Sequence, residues 1–487
     1  MTNEIREDIM RLERLNHLLS LGIETYPSHT EEKISIKEAL AKPEKSEVKA
    51  VGRLISKREM GKISFSHLKD ESGRMQVVFS EKELGKEQYK LFTKYFDLGD
   101  FLHVSGEIFT THKGELSILV KKFTILSKSL LPLPEKFHGL ADTETRYRQR
   151  YLDLIANESS VHIAKTRSVM VREIRKYFDD KGFFEVETPV LQSLYGGASA
   201  EPFKTHHNAL DIPLYLRIAP ELYLKRLIVG GFEKVYEVAK CFRNEGIDNN
   251  HNPEFTQIEF YWAYADYNDL MNLIEDLLPK VIRAASLPLK FKVQDQEVDF
   301  TPPYPRKTMR EIIKEYAKMD IEEFPDQKSL YAKVKKLNIE GIDAKTGYGK
   351  MVDEIYKTFA RPNIINPVFM IDHPVELSPL AKRKADNPKY VERMQLVCVG
   401  GNELCNGFSE LNDPLDQETR FKEQERLGTE GDKESMPYDE DYITALKHGM
   451  PPTAGLGMGI DRLVKLLVDA HNLKEVILFP LLKPENK

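Results

Sequence analysis

The stretch from residue 234 to residue 261 constrains the fold of this chain more than any other. Two runs with strand-like patterning, 234–240 and 255–261, flank a polar loop that contains Arg243 and Glu245. Such a pattern predicts an antiparallel hairpin. Arginine presents a rigid fork of donors that matches phosphate oxygens, and an aromatic such as Phe255 offers a face for a base. A hairpin tip of this composition is, taken alone, more typical of solvated surface.

A second signal lies far downstream, where Gly455, Gly457 and Gly459 alternate before an apolar helical pattern. The spacing matches neither the dinucleotide fingerprint G-x-G-x-x-G nor a phosphate loop with its lysine. The spacing predicts a strand-to-helix junction with Arg462 just inside the helix, a position suited to binding phosphate.

Residues 181–190 follow a predicted helix. Their pattern favours a structural unit that contributes to the core and to an interface and has no chemistry of its own.

Taken in the order in which they occur along the chain, the three segments resemble the three signature motifs of the class II aminoacyl-tRNA synthetases. Residues 182–189 resemble motif 1, residues 242–255 motif 2 and residues 455–462 motif 3. Among that class the chain is most similar to the lysyl-tRNA synthetases of bacterial type. The runs that carry this likeness are 205–210, 217–225, 242–246 and 406–412. The resemblance extends from about residue 48 to the end.

Composition bounds the class of protein. The chain has 487 residues, 41% apolar and 30% charged, which is typical of a globular protein with two or more domains. No apolar run approaches the roughly 18 residues of a membrane helix, and the first thirty residues contain no signal-peptide core. The three cysteines form no metal or disulfide pattern. We therefore expect a cytoplasmic protein without a membrane partner.

The patterning predicts an α+β fold. Residues 1–47 hold a helix and a linker, and 48–128 run as three strands, a helix and two strands, the order of an OB-fold β-barrel. Another small barrel fits that pattern equally. A linker at 129–159 precedes a large domain, 160–487, with an antiparallel β-sheet flanked by helices and a helical segment at about 306–360. The resemblance implies an anticodon-binding barrel and a class II catalytic domain.

The resemblance implies a lysine–tRNA ligase that uses ATP, L-lysine and tRNA(Lys), forms lysyl-adenylate and acts as a homodimer. Arg243 would hold the α-phosphate and the lysine carboxylate, and Arg462 the γ-phosphate, as the catalytic residues. The implied ATP-binding residues are Arg243, Glu245, His251, Phe255, Glu403 and Arg462. The implied lysine-binding residues are Gly197, Glu221, Glu259, Tyr261, Asn406, Phe408 and Glu410. A lysine pocket needs acids because a buried ammonium is costly without paired charge.

Magnesium is the expected metal, since Mg²⁺ binds oxygen ligands near substrate phosphates. Glu403 matches a metal-binding glutamate of the family. A second family glutamate lies seven residues before it, where this chain has Leu396. If one residue is inserted near Gly400, the aligned residue is Gln395. A carboxylate is missing in either alignment, and we expect weaker or altered metal binding.

The predicted barrel carries three residues that resemble the family's readers of the central anticodon base: Phe65, Gln76 and Glu115. Taken alone, Phe65 is more typical of barrel core. The net charge of −6 means that positive charge for tRNA must be concentrated. The candidate cations are Lys57, Arg58, Lys62, Lys69, Arg74, Arg146, Arg148 and Arg150.

Three other functions fit parts of the pattern. A synthetase for aspartate or asparagine shares the layout, but its pocket needs cations where this chain has Glu259 and Glu410. A relative that lysylates a protein resembles the catalytic domain without a barrel. A non-catalytic RNA-binding protein descended from a synthetase is compatible with the missing metal carboxylate.

Overall fold

A computed structural model describes residues 3–134, 140–337, 339, 341–429 and 435–485. Parts of three of the four predicted domains lie outside the described residues: 1–2 of the N-terminal segment, 135–139 of the linker, and 338, 340, 430–434 and 486–487 of the large domain. The chain divides into two compact units, Met1–Ala141 and Asp142–Lys487. In the described part, no helix combines the length and the apolar character needed to cross a membrane.

The first unit is a closed five-stranded barrel with the order β1-β2-β3-β5-β4. Its elements are α1 (Asn3–Ser20), α2 (Ile36–Leu40), β1 (Glu47–Met60), β2 (Ile63–Lys69), β3 (Arg74–Ser80), α3 (Glu81–Leu84), α4 (Lys86–Tyr95), β4 (Phe101–Thr110) and β5 (Leu116–Ser127). The predicted order of three strands, a helix and two strands is confirmed. The helix is split at Gly85, whose φ of +80° ends α3.

Alternation along β2 sorts its side chains between the two faces of the barrel. Ser64, Ser66 and Leu68 are buried inside, whereas Phe65 is half-buried on the opposite face with His67. The reading of Phe65 as barrel core is therefore wrong. The reason is register, because the period of two places neighbours on opposite faces of a strand.

The second unit is built on an eight-stranded sheet with the order β14-β15-β16-β17-β18-β11-β10-β6. Its elements are α5 (Thr143–Arg148), α6 (Arg150–Ala156), α7 (Glu158–Asp180), β6 (Phe184–Glu185), β7 (Leu191–Gln192), β8 (Lys204–His207), β9 (Ile212–Leu216), α8 (Glu221–Val229), β10 (Lys234–Phe242), β11 (Glu254–Ala263), α9 (Tyr267–Ala284), β12 (Lys290–Val293), β13 (Gln296–Asp299), β14 (Arg306–Thr308), α10 (Met309–Ala317), α11 (Gln327–Val334), α12 (Tyr348–Ile355), β15 (Val368–Pro374), β16 (Tyr390–Cys398), β17 (Asn402–Ser409), α13 (Pro414–Thr429), α14 (Glu440–Lys447), β18 (Thr453–Gly459), α15 (Ile460–Leu467) and α16 (Leu473–Val476).

The predicted antiparallel sheet flanked by helices is confirmed. From β15 to β10 each neighbouring pair of strands is antiparallel, and only the two edge strands β14 and β6 pair in parallel. Helices α7, α9 and α15 bury their apolar faces against one side of this sheet. The helices α10, α11 and α12 after β14 form a second, smaller core together with residues of β15 and β16. The opposite side of the central strands is left for other contacts.

Two of the cations suggested for tRNA serve the fold instead. Arg150 is 2% exposed, pairs with Asp153 and donates to the carbonyls of Lys474 and Leu478. In the barrel unit, Lys57 donates to carbonyls at the end of α4. Their donors are used within the protein, so both are wrong as candidates for direct phosphate contact.

Candidate active site

The site is built from residues that lie side by side on one face of the central strands. Register places Phe408 opposite Gly455 and Gly455 opposite Tyr261, so the three form one row across β17, β18 and β11. The next row places Asn406, Gly457 and Glu259 in the same way. Residues two apart on a strand share a face. Glycines therefore occupy the middle of each row.

These glycines leave a cavity of about 340 Å³ above the sheet. Its lining includes the predicted residues Gly197, Glu221, Arg243, Glu245, His251, Phe255, Glu259, Tyr261, Glu403, Asn406, Phe408 and Arg462. The hairpin β10–β11, β17, β18 and the start of α15 each contribute to it. The structure thus brings together residues that are up to 265 positions apart in the sequence, from Gly197 to Arg462.

Arginines lie at one end of the cavity. The Arg243 guanidinium lies 5.0 Å from the centroid of the Phe255 ring, and its Nε has no hydrogen-bond partner among the described residues. Arg462 Nη2 donates to His251 Nε2 at 3.2 Å, and His251 Nδ1 donates to Asp248 at 2.8 Å. That chain orients a guanidinium that remains half-buried. Two orientable cations and an aromatic face suit a nucleotide with its phosphates.

Acids lie at the other end. Glu259 is buried, accepts from Gln257 Nε2 at 2.5 Å and lies 3.4 Å from the Tyr261 hydroxyl. Burial, reinforced by the charge of Glu221, raises the pKa of Glu259 well above its usual range. Burial and the nearby acids likewise raise the pKa of the Tyr261 phenol, which therefore stays protonated as a donor.

Glu410 lies behind this end of the cavity rather than in its lining. A methyl group added to Gly455 would collide with Glu410 Oε1 and with the Tyr261 ring, so both lie against the glycine. Glu410 pairs through Oε2 with the ammonium of Lys225, which also contacts Glu221 Oε1 at 2.6 Å. The side chain of Lys225 is fully buried.

Gly197 closes the cavity beside Glu221. Its φ is +85°, a conformation that residues with a Cβ rarely adopt, and a Cβ there would lie 2.8 Å from Glu221 Cβ. The loop can pass this close to the first turn of α8 only because the residue is glycine.

The structure places Gln395 beside Glu403 and Leu396 in the core. A bulge after Leu396 shifts the register between β16 and β17, and Leu396 is buried in the core. Gln395 faces the site side, where its Nε2 donates to Glu403 at 2.8 Å. His373 Nε2 donates to Gln395 Oε1 at 3.1 Å, and burial lowers the pKa of this imidazole well below its usual range. An amide therefore stands beside Glu403.

Asn406 is oriented by a residue that sequence reasoning missed. Arg393 Nε donates to Asn406 Oδ1 at 2.8 Å, while Nη1 donates to the carbonyl of Leu377 and to Ser378. Arg393 also lines the cavity. It lies opposite Phe408 in the strand register, but that pairing cannot be read from one strand alone.

The barrel unit has a separate polar group of side chains. Gln76 Nε2 donates to Glu115 at 2.7 Å, and Ser117 donates to Gln76 Oε1 at 2.8 Å. His67 connects Glu115, at 3.0 Å, to Ser56, at 2.7 Å. Two of the three predicted base readers are thus hydrogen-bonded to each other. Phe65 lies on β2 two residues before His67, on the same face.

Comparison with known proteins gives a consistent result for both units. Residues 142–483 match the family of class II tRNA synthetases for D, K and N, and residues 48–126 match an OB-fold nucleic acid binding domain. A lysine–tRNA ligase of Carboxydothermus hydrogenoformans is 48% identical over 98% of this chain and 98% of its own length. Lysine–tRNA ligases of Thermotoga maritima and Roseiflexus castenholzii are 46% and 47% identical, over 100% and 99% of this chain and 97% and 99% of theirs.

Proposed function

The chain belongs to the class II tRNA synthetases, among the lysine–tRNA ligases of bacterial type, and on that premise we propose how its residues perform the reaction. It is an ATP-dependent ligase that attaches lysine to tRNA(Lys). The observation that carries the residue assignment is one cavity with arginines and an aromatic ring at one end and acids at the other. A nucleotide and a diamino acid would meet between them.

Activation forms a bond between the lysine carboxylate and the α-phosphorus of ATP and breaks the bond to the β-phosphate. The nucleophile is already ionised, so no general base is needed, and catalysis consists of positioning and charge stabilisation. Arg243 would hold the α-phosphate with its free Nε, and Phe255 would stack on the adenine. Arg462, oriented by His251, would hold the γ-phosphate. Glu245 would assist at the adenine end.

The lysine pocket would use the acidic end. Glu410 and Tyr261 would bind the ε-ammonium, Glu221 the α-ammonium, and Phe408 the apolar stem. Asn406, held by Arg393, would bind the carboxylate. Gly197 would leave room beside Glu221, and Glu259 would complete the polar wall. An aspartate or asparagine pocket is disfavoured by this concentration of acids.

The family generally needs a divalent metal, and we propose Mg²⁺. Among the described residues no cluster of three or more His, Cys, Asp or Glu side chains is suited to a metal. Glu403 nevertheless fits Mg²⁺, which usually binds one or two carboxylates together with substrate phosphates and water. When bound, the metal would neutralise phosphate charge. Gln395 would orient Glu403 in place of a second carboxylate.

We propose that residues 48–128 bind the anticodon, that 129–159 link the domains and that 160–487 form the catalytic domain. Phe65 would stack on the central base, while Gln76 and Glu115 read its edge.

A homodimer is supported by exposed apolar side chains at and near motif 1, namely Phe184, Val190, Leu191, Leu210, Ile212 and Phe232. Because its substrate is tRNA for protein synthesis, we propose that it acts in the cytoplasm.

Lysine-dependent exchange of pyrophosphate into ATP tests the function. We expect exchange with lysine among a panel of twenty amino acids, without tRNA, and transfer to tRNA(Lys) when it is added. Exchange driven by aspartate or asparagine would overturn the pocket assignment. No exchange with any of the twenty amino acids would favour the non-catalytic RNA-binding alternative.

Gly455→Ala should block the acidic end of the pocket, because the added methyl group collides with Glu410 and Tyr261. We expect the KM for lysine in the exchange reaction to rise by roughly 10- to 100-fold with little change in the KM for ATP. Gly457→Ala is the matched control with a smaller expected effect, since its Cβ would have 3.5 Å to the nearest atom. Equal effects of the two variants would contradict the proposed pocket.

Gln395→Glu should strengthen metal binding by roughly tenfold, because it restores a second carboxylate beside Glu403. A Mg²⁺ titration of exchange, together with Mn²⁺ binding followed by electron paramagnetic resonance, measures the change. Gln296→Glu adds the same charge to the exposed β12–β13 hairpin and serves as the control. Unchanged metal affinity in Gln395→Glu would contradict the assignment.

Phe65→Ala should weaken tRNA(Lys) binding by about 1–3 kcal/mol, the usual contribution of one stacked base. Lysine-dependent exchange does not involve the anticodon and should be unchanged. Phe65→Tyr retains an aromatic face and should bind tRNA nearly as wild type does. Binding of an anticodon stem–loop, measured by fluorescence anisotropy, distinguishes these outcomes from a general folding defect.

A further inference from the structure

A lysine side chain of the protein itself lies at the pocket that would select lysine. Lys225 is on α8, four residues after Glu221, and its side chain is 0% exposed. Its ammonium contacts Glu221 Oε1 at 2.6 Å and Glu410 Oε2. It also lies 5.3 Å from the Phe408 ring centroid and 5.9 Å from that of Tyr261.

The two oxygens of Glu410 face different groups. Oε2 contacts Lys225, whereas Oε1 lies against Gly455 at the pocket end. Both oxygens are buried and make no hydrogen bond of good geometry among the described residues, but only Oε2 has the Lys225 ammonium within ion-pair distance. A buried carboxylate oxygen without a partner is costly. One oxygen is therefore held by the protein, while the other is available for a cation at the pocket end.

The positive charge of Lys225 partly balances the negative charges of Glu221 and Glu410. Glu221 and Glu410 are both buried, and without a cation between them such carboxylates do not both stay ionised. Burial alone would lower the pKa of the Lys225 ammonium, but the two carboxylates raise it above its usual range. Two carboxylates and one ammonium carry a single net negative charge. Free lysine carries a single net positive charge.

We propose that Lys225 is a positioning residue for lysine selection: it keeps a positive charge between Glu221 and Glu410 and fixes the distance between the two carboxylates that receive the substrate ammonium groups. This inference rests on the proposed function. It adds a residue to which that function assigned no role. Lys225 acts through the two glutamates and does not itself contact the reacting atoms.

Two neutral replacements in the full-length chain test the proposal. Lys225→Met keeps the length and removes the charge, and Lys225→Gln also keeps hydrogen-bond donors, so it carries the test if the methionine variant does not fold. Lys280→Met is the matched control, since Lys280 is on the exposed side of α9 and pairs with Asp276. The KM values for lysine and ATP in pyrophosphate exchange are measured from pH 6.5 to 9.5, with thermal unfolding alongside.

The expected sign follows from the charges. Burial raises the pKa of Glu410 and of Glu221, and Lys225 opposes that rise, so removing the ammonium raises both pKa values further. As the pH falls, the carboxylates of the variant therefore become protonated at a higher pH than those of the wild type. The other charged or titratable groups that face this cluster are Glu259, Tyr261, Arg393 and Tyr442, and all are retained. Relative to wild type at the same pH, the KM for lysine should be roughly tenfold or more higher at pH 7, and this ratio should fall as the pH rises.

The KM for ATP and the Lys280→Met variant should show no such dependence on pH. An unshifted pH profile with a lysine KM near that of wild type would overturn the proposal. So would a parallel loss of lysine and ATP binding with lowered thermal stability and no pH shift, which a purely structural role predicts. Exchange by the wild type with an amino acid other than lysine would instead overturn the proposed function.

Discussion

The site depends on the absence of side chains along one face of β18. Three strands meet there in register, and the residues at the centre of the rows are glycines, so the floor of the cavity is backbone. The walls come from the neighbouring strands: Tyr261 and Glu259 on one side, Phe408 and Asn406 on the other. A side chain at Gly455 would collide with Glu410 and Tyr261, whereas one at Gly457 or Gly459 would enter the cavity. The helices on the opposite face bury an ordinary apolar core and hold these strands in place.

Electrostatics divides the cavity into two ends. Half-buried arginines at one end retain free donors, which suits an anion that arrives with its own negative charge. The other end concentrates buried acids, and their cost is offset only where a cation is present. Lys225 supplies one such cation permanently, and the substrate is expected to supply the others. The same cluster would therefore discriminate among amino acids.

Much of this arrangement was predictable because it depends on periods that a single segment reveals. The alternation from Phe255 to Tyr261 and the glycines at 455, 457 and 459 each predict a face, and the hairpin predicts how two strands meet. Lys225 was not predictable in this way. A lysine four residues after a glutamate is an ordinary pair on a solvated helix face, and only packing brings Glu410 against it. The bulge in β16 and β17, which accompanies Gln395 beside Glu403 and Leu396 in the core, was not predictable either, because it changes register without leaving a local signal. The face on which Phe65 lies could not be predicted, because a strand of mixed composition does not reveal which of its faces is enclosed.

The backbone floor also limits how this pocket can be altered by mutation. Glycine has no smaller replacement, so every substitution at position 455, 457 or 459 removes space and none adds it. A variant enzyme for a shorter diamino acid is accessible by changing the floor. A variant enzyme for a bulkier amino acid has to be obtained by substitutions in the walls, where Phe408 and Tyr261 can be replaced by smaller residues.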